Sequence, residues 1–475
     1  MSNRSLRMFI HILDDDSLLK VFYLFRPDIL DEDKIYSNQF FKGAKWDHER
    51  WWYKFVHVCR RWRYLILGSA SHLGLSLVCT RRTPVAVMLA HSPPLPLIVD
   101  HLYDYDHITT KDEENIMFAL RHPDRVRRIR LKMPILDLRK IITAMDGEFP
   151  ILAYLYIRPQ EKDDTGLVLP QTFRAPHLRH LILGNFSLQM GSPLLIAVVS
   201  LVTLSLGWIH PSVYVPPNQL LHRHSLMPQL EVLKITFHSS VPSSDVRGQL
   251  LDAQIMTHAV LPHLRWFVFH GVSAYLDALL GRMTTPVLKV FDLWLPFQLS
   301  YSIQNLTQFV SVTRNLRGYI ARLSFGHETT LAMYSSEWAK TSTFYVGVSC
   351  RRLDWQVSSM AQVSNTAAPV LSSVEYLTIG SGTHWVLLEG HNEVDRAQWN
   401  DLLRPFANVK MLQVHHDFVW DISNSLQLGD EESPIGLFPE LKEIRYDEVT
   451  ETRSAFATFI DARQNAGRPV TLNRP

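Results

Sequence analysis

The chain has 475 residues, of which 46% are hydrophobic and 20% charged, with 12 tryptophans and 23 phenylalanines; this is the composition of a folded protein and excludes wholesale disorder. A formal net charge of +2 lacks the basic excess of a protein that neutralises many phosphates, so no nucleic-acid partner is expected. Cys59, Cys79 and Cys350 are too few and too scattered for a disulfide framework or a cysteine zinc site, which points to a reducing compartment, cytoplasmic or nuclear. No apolar run reaches the roughly 18 residues that span a bilayer, so no membrane partner is expected.

From Asp14 to Phe25, Leu18, Phe22 and Phe25 recur at i, i+4 and i+7, and Asp14, Asp15 and Asp16 suit the positive end of a helix. Pro27 stops that helix, and residues 28–45 read as a polar loop. A second helix is expected from Asp47 to Leu67, with Trp51, Phe55, Val58, Trp62 and Leu65 on one face and Gly68-Ser69 as its stop.

Leu13-Asp14-Asp15-Asp16-Ser17-Leu18-Leu19-Lys20-Val21-Phe22 and Val58-Cys59-Arg60-Arg61-Trp62-Arg63-Tyr64-Leu65-Ile66 resemble the two halves of an F-box. Asp14 stands where the family carries a proline, and roughly 20 additional residues separate the halves compared with compact members. The resemblance implies docking on a Skp-type adaptor, and through it on a cullin and RING scaffold. The residues it assigns to that contact are Leu13, Leu18, Leu19, Val21, Phe22, Val58, Cys59 and Trp62.

Beyond Gly68 a Leu-x-x-Leu-x-Leu motif returns at intervals of roughly 23–35 residues. Clear copies centre on Leu155, Leu181, Leu204, Leu233, Phe267 and Phe291, and weaker ones on Ile129, Leu323, Leu377, Leu412 and Ile444. The long step from Leu323 to Leu377 suggests a protruding loop, with Thr341-x-x-Phe344-x-Val346 as a further copy. The last two apolar positions of each copy face one side of a short strand, and stacking buries that side. Amphipathic connectors are expected at Glu113–Leu120, Leu136–Met145, Pro216–Ser225, Tyr275–Met283 and Arg396–Leu403.

The array resembles the degenerate leucine-rich repeats of fungal-type F-box proteins. The expected fold class is α/β: a short N-terminal helical F-box module over residues 1–80, with its loop insertion at 28–45, then an irregular leucine-rich repeat solenoid over 81–466 with a parallel strand on each repeat. The alternative is a single α/β domain whose strands are coincidentally similar. A tail at 467–475 is expected to fray. The strand face of the repeats is expected to hold an unknown protein target, with Tyr154, Tyr156, Arg179, His180, Lys234, Arg265, Trp266 and Lys289 as exposed candidates.

No Walker loop, dinucleotide-binding glycine fingerprint, nucleophile elbow or zinc-protease His-Glu pair occurs, so no catalytic residue, cofactor or metal is expected. His415-His416-Asp417 reads as a solvated rim, since adjacent strand histidines point to opposite faces. The implied function is that of the substrate-recognition subunit of a Skp/cullin/F-box ubiquitin ligase. The alternative is a non-catalytic repeat scaffold or sensor whose helical hairpin only caps the array.

Overall fold

The computed structural model describes residues 13–26, 50–80, 83, 85–91, 93–102, 108–161, 166–187, 191–209, 215–237, 258–296, 298, 300–339, 341–382, 394–427, 436–446 and 454–473. The expected insertion at 28–45 lies outside them. Two compact units divide the chain, Met1–Leu181 and Ile182–Pro475. Among the described residues no helix is long and apolar enough to cross a membrane.

The first unit opens on helix α1 (Asp15–Leu24), whose N-cap Asp14 accepts a hydrogen bond from the Ser17 backbone N–H at 2.7 Å. The expected second helix is instead two, α2 (Tyr53–Val56) and α3 (Arg60–Gly68), with Cys59 fully extended between them. The break has a packing cause. Phe55 and Trp62 both rest on Phe22, with ring centroids 5.7 and 4.9 Å away, and lie 6.1 Å from each other. In an unbroken helix seven residues rise about 10.5 Å, well beyond the 6.1 Å that separates these two rings. The bend turns Val58 outward, and the Arg63 Nε–H donates to the freed Val56 carbonyl at 3.0 Å. The deeply buried tryptophan is Trp52 rather than Trp51; its indole N–H donates to the Ser76 carbonyl at 3.2 Å.

After α4 (Ala70–Leu73) come β1 (Leu77–Val78), α5 (Val85–His91), β2 (Leu97–His101), α6 (Thr110–Leu120), β3 (Val126–Met133), α7 (Ile135–Thr143), β4 (Tyr154–Pro159) and β5 (His180–Gly184), in which the unit boundary falls. Strands β1 to β4 pair in parallel in chain order. The motif positions Ile129, Leu131, Leu155 and Ile157 are all fully buried on the helix side, as is Val99 beside Ile129 on β2. Thr109 caps α6, with Asp112 and Glu113 in its first turn favouring the dipole.

The second unit contains α8 (Pro193–Ala197), β6 (Thr203–Ile209), α9 (Pro217–Ser225), β7 (Val232–Phe237), β8 (Ala259–Val260), β9 (Trp266–His270), α10 (Ser273–Leu280), β10 (Met283–Thr284) and β11 (Val290–Pro296). It continues through α11 (Gln304–Val312), β12 (Ile320–Phe325), β13 (Thr329–Tyr334), β14 (Phe344–Ser349), α12 (Leu353–Thr366), α13 (Ala368–Leu371), β15 (Tyr376–Ser381), α14 (Arg396–Leu403), β16 (Met411–Val414), α15 (Val419–Leu426), β17 (Glu443–Tyr446), α16 (Ala457–Asn465) and β18 (Thr471–Asn473). Its main sheet runs β6-β7-β9-β11-β14-β13-β12-β15-β16-β17-β18, while β8 and β10 form a separate parallel pair.

Among the described strands of this main sheet, the expectation of one parallel strand per repeat fails at β13. β13 is antiparallel to both β12 and β14, so the long step after Leu323 holds a meander, and β14 is the copy centred on Phe344. The three-residue link Gly326-His327-Glu328 is too short for a parallel crossover and returns the chain as a hairpin. Gln356 of α12, fully buried, donates to the Gly326 carbonyl at 2.6 Å and the Cys350 carbonyl at 2.7 Å, fastening that hairpin to the helix layer.

The core of this unit is aromatic. Phe267 stacks on Phe291 at 5.4 Å, Phe291 meets Phe309 and Phe344, and Phe325 packs on Trp399 and Phe418. Each fully buried ring of this kind contributes on the order of 2–3 kcal/mol of transfer free energy. The segment from Gly467, expected to fray, is instead held to residue 473. β18 pairs in parallel with β17, Val470 is buried, and Asn473 donates to the Glu443 carboxylate at 2.8 Å.

Candidate functional site

The residues assigned to adaptor contact separate into three groups. Leu18 and Phe22 are buried in the helical core and have no surface to offer a partner. Leu19, Val21 and Trp62 are half-buried, while Leu13, Val58 and Cys59 are exposed. The same helices also expose large apolar side chains that the motif did not single out: Leu24 is 82% exposed, Tyr64 80% and, at the end of α1, Phe25 56%. A shallow groove lined by Arg60, Arg63, Tyr64, Leu67 and Pro93 adjoins them. Arg61 holds the start of α1 in place, donating to the Leu13 carbonyl at 2.6 Å and pairing with Asp15 at 2.7 Å.

On the open face of the first unit's sheet, three of the expected target contacts are not exposed. Tyr154 and His180 are each 2% accessible, and Tyr156 is also buried. Tyr154 lies 5.5 Å from the His180 ring, with the Arg128 guanidinium 5.9 Å from its own ring. Burial pushes the Tyr154 phenol well above its ordinary range despite nearby Arg130 and Arg128. In the neighbouring row Asp100, buried on β2, forms an ion pair with Arg130 directly opposite on β3. On this face Asp100 is thus paired with Arg130 through its Oδ2.

Arg179, Arg265 and Lys289 are exposed, but they precede β5, β9 and β11 rather than lying within the strands. Arg265 approaches Glu231 at 3.8 Å. Lys234 and Trp266 do lie on the open face of the second unit, both half-buried.

They belong to a cluster that the sequence reading missed. The register places Val268 beside both Lys234 and Asp292, Asp292 beside Tyr345, and Trp294 between His270 and Gly347. The Asp292 Oδ1 is buried without a hydrogen-bond partner, and burial lifts this carboxyl to about 6 while Lys234 pulls the other way. Burial lowers His270 to about 4, helped by Lys234, so its ring is neutral near physiological pH. The Tyr345 phenol is raised to about 12 by burial and by the negative charges of Asp292 and Glu328. The six-membered ring of Trp294 covers Gly347, where a Cβ would fall 2.1 Å from it. A signal did exist in Phe291-Asp292-Leu293-Trp294, whose alternation puts both Asp292 and Trp294 opposite the core.

Among the described residues no group of His, Cys, Asp and Glu could hold a metal ion. The His416 ring lies 3.1 Å from Asp417, half exposed at the surface, whereas His415 lies over Gly380.

No family model matches the chain, and no curated protein matches it. Among solved structures, one similar chain is the leucine-rich repeat-containing protein LegL7 of Legionella pneumophila. It is 12% identical, covers 84% of this chain and 99% of its own, and has a TM-score of 0.26. At that distance the fold assignment rests on the strand register and the buried motif positions described above. By those criteria this is an α/β leucine-rich repeat protein.

Proposed function

We propose that this chain is the substrate-recognition subunit of a Skp/cullin/F-box type ubiquitin ligase, docking on the adaptor through its N-terminal helices and on a protein target through the open sheet face. In this reading the chain has no transfer chemistry of its own and supplies proximity, which raises the effective concentration of an acceptor lysine. The observation that carries it is the exposed apolar surface of Leu24, Phe25, Val58 and Tyr64 on helices whose core carries the F-box pattern. Side chains of this size left in water on one small module are typical of an interaction site.

The test is a pull-down of the purified chain with a Skp-type adaptor, comparing wild type with Leu24→Asp plus Tyr64→Asp. Both residues lie outside the core, so the variant keeps its fold. Stoichiometric capture abolished in the variant is expected; absence of capture by folded wild type would sink the reading.

A second reading, a repeat scaffold that binds no adaptor, has its own support. Arg50 donates to the Thr80 carbonyl at 2.7 Å and to the Thr83 hydroxyl at 2.6 Å, and Trp52 bonds Ser76, so the helices also seal the start of the sheet as a cap would.

A further inference from the structure

The open face of the second unit holds a carboxylate that its own surroundings leave unsatisfied. Asp292 has Val268 on one side and Tyr345 on the other, so neither lateral neighbour supplies a cation. The backbone of Lys234 lies one strand beyond Val268, about 10 Å from that of Asp292 at the usual strand spacing. Around Asp292 stand Trp266, His270, Trp294 and Tyr345, all half-buried and therefore partly open to solvent. Trp294 is laid down over Gly347, which makes room for it by having no side chain. The charged groups bordering the cluster are Lys234 on β7, Glu328 in the β12–β13 hairpin and Arg322 on β12, with His270 neutral.

We propose that this cluster receives the side-chain cation of a lysine or arginine from the bound protein target. The inference rests on the reading of the open face as a target surface and names the chemistry of its central contact. A carboxylate bordered by aromatic side chains is complementary to a cation, which gains both the ion pair and the attraction of the ring quadrupoles. An apolar side chain would leave the Asp292 oxygen dehydrated and unpaired, and an anion would be repelled by it. The neutral His270 adds an aromatic edge without opposing charge. A phosphate-bearing partner fails for the same reason as any anion.

The test uses the full chain and four blocked tripeptides, Ac-Gly-X-Gly-amide with X as arginine, lysine, glutamine or glutamate, titrated by calorimetry near neutral pH. Binding of the arginine or lysine peptide with a dissociation constant on the order of millimolar, about tenfold tighter than the glutamine peptide, is expected. Asp292→Asn, nearly isosteric, should remove that preference while urea unfolding verifies its fold. Gly347→Ala, which must displace the Trp294 ring, should weaken cation binding by a similar factor with Asp292 intact. Equal affinity for all four peptides, no binding of any, or an undiminished preference in Asp292→Asn would overturn the inference. A glutamate preference that depends on Lys234 would also overturn it, while leaving the open face as a target surface. None of these titrations involves the adaptor, so adaptor docking stands or falls separately.

Discussion

The two units carry the same strand motif and build their open faces in opposite ways. In the first, Asp100 meets Arg130 on the adjacent strand, Tyr154 packs on His180, and Tyr156 is buried as well. In the second, Asp292 has its nearest cation two strands away, and its aromatic neighbours remain partly open. Buried charge is tolerable in either arrangement only if something compensates it. The first face contains its own compensation, whereas the second bears a cost, which is the pattern expected where a surface is shaped for a partner rather than for stability.

The largest expected effect comes from breaking the self-sufficient face. Arg130→Ala strands a carboxylate that is almost fully buried, and the loss should be about 3–5 kcal/mol in urea unfolding. A loss below about 1 kcal/mol would mean that the pair is not what stabilises that face.

The corresponding change in the second unit should have the opposite sign. The native Asp292 carboxyl titrates near 6 rather than 3.8, so the native state binds more protons than the unfolded chain between those values. Stability therefore falls as pH rises through that window, and the full cost is present above about pH 6. Asp292→Asn removes the charge and should stabilise the chain by about 2 kcal/mol near pH 7.5, with the gain vanishing below about pH 4. His224, buried with both ring nitrogens unpartnered and lowered to about 4, and His270 destabilise the fold on acidification. Both are common to wild type and variant, so the difference between the two pH profiles isolates Asp292.

How much of this contrast was legible in the sequence follows from what each feature depends on. Strand positions were legible because the spacing of Leu155 and Ile157, or Phe291 and Leu293, directly encodes which side is buried. Burial of Tyr154, Tyr156 and His180 was not, since it depends on which side chains the register sets beside them, and a single strand carries no record of its neighbours. Helix α12 escaped because its buried side includes Gln356, Ser359 and Ser364, polar residues that blur the apolar period. The break at Cys59 escaped for a related reason: the pattern from Trp51 to Leu65 is helical throughout, and only the approach of Phe55 and Trp62 to 6.1 Å of each other beside Phe22 goes with the bend. The division of Leu13, Leu18, Leu19, Val21, Phe22, Val58, Cys59 and Trp62 between core and surface was not legible, because it depends on how the helices pack on one another.

Gly347→Ala probes the aromatic half of the contrast. A methyl group there would fall 2.1 Å from the Trp294 ring, so the indole must leave its seat or the strands must part. Overpacking of this kind costs about 1–2 kcal/mol, and the Trp294→Ala background should make the same substitution nearly neutral. A cost unchanged in that background would mean that Gly347 is required for its backbone and not for the ring above it.

The smallest effect belongs to Lys234, and it tests the distance on which the whole comparison turns. Its backbone stands two strands from Asp292 and solvent is nearby, so its attraction is on the order of 1 kcal/mol or less, against the direct contact that Arg130 makes with Asp100. Lys234→Gln should therefore raise the Asp292 pKa further above 6, by a few tenths of a unit to about one. It should also let His270 rise from about 4, because the same ammonium disfavours the imidazolium. Proton titrations of the two side chains by NMR would register both shifts. Upward movement of both places Lys234 as a distant modulator of an otherwise unpaired carboxylate. A rise of several units at Asp292 would instead make Lys234 its true partner and would turn the second face into another copy of the first.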